Sequence, residues 1–232
     1  MNLLAILPVR SGSKSIPNKN IATINGAPLL SYVINAAKDV SQINNFVVTS
    51  DSDQYLDIAK SYSNNLLLRK RPENLAYDST PDIPVLQDAL KYAENKLNKK
   101  FTHIIQIHAT SPLLTRNHLQ NALNDFESSL ADSMVSVTTA SETPPIKIKK
   151  IVNNYLVPAV DGLEEKTTSR RQDNNKYYIR NGAFYIVSVD FLNKGRLWGD
   201  KVKPFIMNKY DSVDINDMLD FQLAELIMNK RV

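Results

Sequence analysis

The chain has 232 residues, 43% of them hydrophobic and 22% charged, enough for one large α/β domain or two small ones with a sizeable core. Its 28 basic and 24 acidic residues give a formal net charge of +4, too mild and dispersed for nucleic-acid binding but suited to a small anionic substrate. It has no cysteine, which excludes a disulfide framework, a zinc ribbon and a thiolate nucleophile, and no apolar run approaches the roughly 20 residues that span a bilayer.

An unbroken apolar run at 3–7 reads as a buried strand, with no basic segment ahead of it. We therefore expect no cleaved signal, and a cytoplasmic protein. The loop that follows carries Arg10, Lys14 and Lys19 with no acidic residue, and its Ser11, Gly12 and Ser13 are small enough for backbone amides to approach an anion. The carboxyl end of a strand is where open α/β sheets bind ligands, so this loop is read as a polyphosphate site.

Leu29, Leu30, Val33, Ile34 and Ala37 recur at helical spacing, predicting a helix over 28–38 with proline in its first turn. A strand at 46–49 leads into a helix through Tyr62, capped by Asp51 or Ser52. A strand at 66–68 ends in the cluster Arg69, Lys70 and Arg71. Ile83, Leu86, Leu90, Ala93 and Leu97 form one stripe, predicting a helix over 82–98. A strand at 103–107, a helix at 115–130 and a strand at 134–138 continue the alternation, which argues a mostly parallel sheet with helices on its faces.

Periodicity weakens from 141 to about 175, where Pro144, Pro145 and Pro158 accompany short β-like pieces at 146–152 and 155–157. The polar stretch 164–175 reads as an excursion from a single domain, because a strand pattern resumes at 177–189. A last strand is predicted at 205–207. An acidic turn at 211–217 then leads into a C-terminal helix expected to turn Leu219, Leu223, Leu226 and Ile227 inward.

The basic loop and the acidic turn are the two chemically loaded places. Nucleotidyl transfer needs cations around a triphosphate and carboxylates that hold a divalent metal, Mg²⁺ or Mn²⁺. Asp214 is the first candidate ligand. It could equally cap the last helix, a task open to Asn216 and Asp217 as well.

These residues resemble the CMP-nonulosonic acid synthetases, the cytidylyltransferases that activate sialic acid and related nine-carbon α-keto sugar acids. The resemblance is carried by Val9-Arg10, Lys14, Pro17, Lys19-Asn20; by Arg71-Pro72-Glu73-Asn74-Leu75-Ala76-Tyr77-Asp78; by Thr110-Ser111-Pro112-Leu113; by Arg171-Gln172; by Asn181-Gly182-Ala183-Phe184-Tyr185; and by Asp211-Ser212-Val213-Asp214-Ile215. The order and spacing are kept over nearly the whole chain.

The resemblance implies a three-layer nucleotidyltransferase fold with a mostly parallel sheet, in one domain over 1–232. A dimerisation arm would lie at about 141–200, and a homodimer would complete each site. It implies an enzyme of the N-acylneuraminate cytidylyltransferase type, in cell-surface glycan biosynthesis, joining CTP and the free acid into a CMP-sugar and pyrophosphate. Arg10, Lys14 and Lys19 would contact the triphosphate, and Ser11, Gly12, Asn20 and Arg71 would help hold the nucleotide. Lys147 and Arg171 fall where the family places cations near the sugar acid, Tyr185 would line the sugar pocket, and Leu197 and Trp198 match a pair sent into the partner's site. Asp214 and Asn216 would hold the metal. The chain departs from the family at His108, Leu114 and Asn216, where glutamine, arginine and aspartate are usual; His108 stands at a position facing nucleotide or sugar. Rival readings are the synthetase for the eight-carbon acid Kdo and a weakly catalytic nucleotide-binding homologue.

Overall fold

The apolar run after Asn2 becomes strand β1 (Leu3–Pro8), whose side chains alternate between two cores, Leu3, Ala5 and Leu7 in one and Leu4 and Ile6 in the other. In the computed structural model, which describes residues 1–140, 143–162 and 176–231, this strand lies inside a seven-stranded sheet. After β1 come β2 (Thr23–Ile24), β3 (Ala27–Pro28), α1 (Leu29–Ala37), β4 (Phe46–Ser50), α2 (Asp53–Tyr62), β5 (Leu66–Lys70), α3 (Asp82–Leu97) and β6 (His103–Ile107). Then follow α4 (Arg116–Glu127), β7 (Ser133–Thr139), β8 (Lys149–Val152), β9 (Tyr155–Pro158), β10 (Tyr178–Ser188), α5 (Val189–Asn193), β11 (Val202–Ile206) and α6 (Met218–Asn229).

The large sheet has the order β11-β7-β10-β6-β1-β4-β5. Strand β10 is antiparallel to both neighbours, and the other pairings in that sheet are parallel. Helices α1, α2 and α4 bury Leu30, Val33, Ile34, Tyr55, Ala59, Leu119 and Leu123 against one face; α3 and α5 bury Leu86, Leu90 and Leu192 against the other. The three-layer expectation holds. The chain runs from β1 out to β4 and β5, then returns to β6 on the opposite side of β1. The loops after β1 and β6 therefore flank the topological switch point, where such sheets bind ligands.

A third, smaller core lies beneath this end of the sheet, where Ile16, Ile24, Leu29 and Leu113 meet Ile215, Ala224 and Met228. It brings the loop after β1 against the C-terminal turn and α6.

Local signals decide the helix ends. Ser52, not Asp51, caps α2, accepting from the Tyr55 N–H at 3.4 Å. Thr115 and His118 form a reciprocal cap on α4, and Asp217 and Asp220 form one on α6. Two departures from the sequence reading concern α5 and α6. Helix α5 falls inside a stretch too short to show a period. On α6, Leu219, Leu223 and Leu226 face outward, with Leu219 73% exposed, while Ala224 and Met228 are buried. Ile227, as expected, and Phe221 pack partly buried beside them, while the three leucines form an apolar outer stripe. No helix among the described residues is long and apolar enough to cross a membrane.

Candidate active site

Thr23–Pro28, folded back as the β2–β3 hairpin, closes the loop that follows β1. Within that loop Gly12 takes φ +75°, a left-handed turn that suits glycine. Ser11 gives both its N–H (2.8 Å) and its hydroxyl (2.5 Å) to Asp51 at the end of β4, and the Asn20 amide donates to the Arg10 carbonyl at 3.0 Å. Ser11 thus ties down the loop, and its N–H is occupied; an anion would not find it free. Burial pushes the Asp51 carboxyl up, but the Ser11 bonds and the nearby Arg71 charge more than offset this, leaving it below the ordinary carboxylate value.

The loop also has a counter-charge, contributed by residues outside it. Asp78 takes the Arg10 guanidinium on one oxygen and Lys14 Nζ on the other, at 2.8 Å. The Lys14 hydrogen bond, aided by Arg10, holds the Asp78 carboxyl below its ordinary range. The sequence reading placed Asp78 in a motif but not in the site.

The third cation reaches the acidic turn. Lys19 Nζ donates to the Ile215 carbonyl at 2.7 Å, and the Ser15 hydroxyl donates to the Asn216 carbonyl at 2.5 Å. Burial holds the Lys19 ammonium below its ordinary value; the Asp214 carboxylate pulls it upward and Arg10 adds to the depression. The two ends of the chain paired by charge in the sequence are therefore in direct contact.

The turn itself is braced from β10. Asn181, buried, donates to the Ser212 hydroxyl at 2.9 Å. Gly182 has φ +70°, and a Cβ there would lie 3.2 Å from Asp214 Oδ2. Across this Asn-Gly step the β10–β7 register shifts. Asp217 caps α6, so Asp214 is not spent as a cap. The Asn216 amide nitrogen lies 3.3 Å from Asp214 Oδ2 and 3.1 Å from the Asp214 carbonyl.

Arg10, Lys19, Asn20, Arg71 and His108 all line one cleft of about 300 Å³ at the switch point, together with Asp78, Asp82 and Gln106. His108 meets the Tyr185 ring edge-on at 5.5 Å, Tyr185 packs on Trp198 at 6.1 Å, and the Arg180 guanidinium lies 5.0 Å over the Trp198 ring. Burial lowers the His108 pKa against the pull of Asp82 and Asp214, so the ring is neutral at pH 7. Burial likewise raises the Tyr185 phenol.

Some expected residues are placed elsewhere. Lys147 is exposed on a short turn and lines neither this cleft nor the groove described next. Arg171 lies outside the described residues. Leu197 packs against its own chain's core, and Trp198 is half-buried against Tyr185. Leu114 is core, 3% exposed.

A second groove of about 730 Å³ adjoins the turn, lined by Ile148, Ile179, Tyr210, Leu223 and Asp214 among others. Around it the β8–β9 hairpin exposes Ile151, Tyr155 and Leu156 at 74%, 75% and 71%. Residues missed in the sequence include Asp82 and Gln106, joined at 2.9 Å, and Arg180. Gln106 carried one signal, a polar side chain within an otherwise apolar strand.

With this geometry in hand, residues 4–209 match the family described as cytidylyltransferase. The chain is 31% identical over 99% of its length to an N-acylneuraminate cytidylyltransferase of Escherichia coli, spanning 52% of that protein. It is 28% identical over 98% of its length, and 95% of the other, to a CMP-N,N'-diacetyllegionaminic acid synthase of Campylobacter jejuni. Among solved structures, a CMP:2-keto-3-deoxy-manno-octonic acid synthetase complexed with CTP superposes with a TM-score of 0.69 at 13% identity, covering 100% of both chains.

Proposed function

The chain belongs to the cytidylyltransferase family, and we propose that it transfers the cytidylyl group of CTP to a nonulosonic acid, releasing pyrophosphate. The observation that carries this is the Lys19–Ile215 bond, which fixes a triphosphate-binding loop against the turn bearing Asp214 beside a cleft at the switch point. Relatives matched over nearly all of this chain and named for N-acylneuraminate and N,N'-diacetyllegionaminic acid support the substrate class. N-acylneuraminate is the first acid to assay.

The anomeric hydroxyl attacks the α-phosphorus in line; its oxygen forms the new P–O bond as the bond to pyrophosphate breaks, and its proton is lost to water. Arg10 and Lys14, released from Asp78, meet the β- and γ-phosphates and stabilise the charge that develops on the leaving group. Lys19 stays on the turn, where its reduced basicity still leaves a donor directed between the phosphates and Asp214. Arg71 and Asn20 hold the nucleotide. His108, Tyr185 and Trp198 form an aromatic wall against which the sugar ring packs.

The donor set at the turn suits a hard divalent ion that keeps most of its waters and shares substrate phosphates: one carboxylate, Asp214, and one amide, Asn216, whose oxygen comes forward when its side chain turns. Mg²⁺ or Mn²⁺ bound there would supply charge neutralisation and a lower pKa for the attacking hydroxyl.

We also propose a homodimer. The exposed hairpin, the outer leucines of α6 and the apolar groove beside them leave apolar side chains in water of the kind that mark interaction sites. Sedimentation should give twice the chain mass, and Leu156→Glu should give the single mass; an unchanged wild-type monomer removes the dimer. For the activity, pyrophosphate release is followed with CTP, Mg²⁺ and a panel of nonulosonic acids. Turnover with at least one acid, abolished in Arg10→Ala, is expected; CTP binding without turnover on any acid defeats the reading.

A further inference from the structure

The segment between β11 and α6 begins with a buried carboxylate whose partners come from three directions. Asp211, 6% exposed, precedes Asp214 in the acidic turn. One of its oxygens takes the Arg231 guanidinium, from just past the end of α6. The other takes the Asn208 side-chain amide and faces His118 Nε2, on the first turn of α4, at 3.5 Å. The Asp211 N–H in turn donates to Asn208 Oδ1 at 2.9 Å.

The His118 proton is placed by its own helix cap. Its Nδ1 accepts the Thr115 backbone N–H at 3.2 Å, and a backbone N–H can only donate. Burial holds the imidazole below its ordinary value; Asp211 pulls it up and Arg231 adds to the depression. The ring is therefore neutral at pH 7 and carries its proton on Nε2, toward Asp211. Both carboxylate oxygens of Asp211 thus face donors.

The stretch that follows is clamped again further on. Ser212 Oγ receives the Asn181 amide at 2.9 Å and donates to the Asn208 carbonyl at 2.6 Å, and the Ile215 N–H donates to the Thr110 carbonyl at 2.8 Å. Between these clamps the Asp214 carboxylate lies beside Gly182, within electrostatic reach of Lys19. We infer that Asp211 is a positioning residue for Asp214: latched by Arg231, Asn208 and His118, it sets where the acidic turn leaves β11 and so where the Asp214 carboxylate stands. A buried ion pair contributes little net stability relative to apolar residues of the same volume, whereas it does select one arrangement of the groups that it joins. Arg231 belongs to the same device. It ties the turn to the far end of α6 while Asp217 caps the near end, so the helix is held to the turn at both ends.

The inference rests on Asp214 acting in cytidylyl transfer as proposed above, and its test separates the two. Asp211→Asn, Arg231→Gln and Arg231→Lys are compared with wild type. An asparagine at 211 must turn its NH₂ toward Arg231 on one side or toward Asn208 and His118 on the other, all of them donors, and Arg231→Gln leaves the carboxylate without its cation. Native-state amide exchange of Ile215 reads the turn without turnover. It should speed at least about tenfold in both variants while the amides of β1 keep their wild-type protection, and Arg231→Lys, which keeps the charge, should restore it. By pyrophosphate release, kcat should fall about tenfold with KM for CTP within about twofold of wild type, the pattern of an interaction made in the transition state. In an Asp214→Ala background, Asp211→Asn should cost less than about twofold, because the residue through which it acts is gone. A purely structural role would expose Ile215 and β1 together, or lower the residual rate of the Asp214→Ala enzyme by the same factor as wild type. Either result overturns the inference, as does an unchanged Ile215 in both variants. A chain that shows the local loss of protection yet turns over no acid, even as wild type, defeats the functional reading alone.

Discussion

Replacing Gly182 with alanine tests whether the Asn-Gly step exists to place Asp214. Two separate costs follow from the structure. The first is conformational: φ +70° lies in the left-handed region, where an alanine costs about 1–2 kcal/mol. For a domain of this size that corresponds to a fall of about 2–8 °C in Tm. The second is steric. The new Cβ would stand 3.2 Å from Asp214 Oδ2 and 3.3 Å from its Cγ, so the carboxylate must retreat by a few tenths of an ångström. Misplacement by about 1 Å at a reacting centre costs about 100-fold in rate, so a retreat of this size should cost roughly tenfold in kcat. Gly182→Asn separates the two costs, because asparagine tolerates the left-handed region but carries the same Cβ. It should recover most of the Tm and none of the rate. The assay is pyrophosphate release at saturating CTP, with Tm from scanning calorimetry. If Gly182→Ala is folded and turns over within twofold of wild type, Asp214 does not act at the position the Asn-Gly step gives it.

Three further outcomes follow. Burial lowers the pKa of His103, His108 and His118 from an ordinary 6.5, so the unfolded chain binds more protons than the folded one below that pH. Stability should therefore fall as pH drops from about 6.5 toward the depressed folded values, and His118→Gln should flatten the slope; identical Tm–pH curves would contradict this. Asp78→Asn should release Arg10 and Lys14 from their internal partner and tighten CTP binding about two- to fivefold by calorimetry, within the range for exposed ion pairs, whereas weaker binding would make Asp78 a ligand-holding residue. Asp217→Ala removes the cap that leaves Asp214 free, and should cost about 0.5–2 kcal/mol in denaturant unfolding; no loss would mean that the α6 cap contributes nothing.

The parts of this molecule legible in its sequence are those with a strong local period or a fixed spacing. The run at β1 and the stripe on α3 were read correctly because each is encoded by neighbours along the chain. The outward leucines of α6 were not, since apolar residues at helical spacing look the same whether they face a core or a solvent-side groove. Asp51 was weighed as a helix cap and serves instead as an anchor for Ser11, a choice made by a contact forty residues distant. The Asp78 counter-charge and the Asp82–Gln106 pair were invisible for the same reason: each joins residues far apart in sequence through tertiary packing.

The bond from Lys19 to the Ile215 carbonyl also bears on how the protein is made. Its partners lie 196 residues apart, and at roughly 5–20 residues per second the ribosome needs about 10–40 s to separate them. During that interval strands β1, β4 and β5 can assemble with their helices, but the cations of the first loop have no turn to close against. A nascent chain that has not yet reached Ile215 therefore holds the first loop without the turn it closes against.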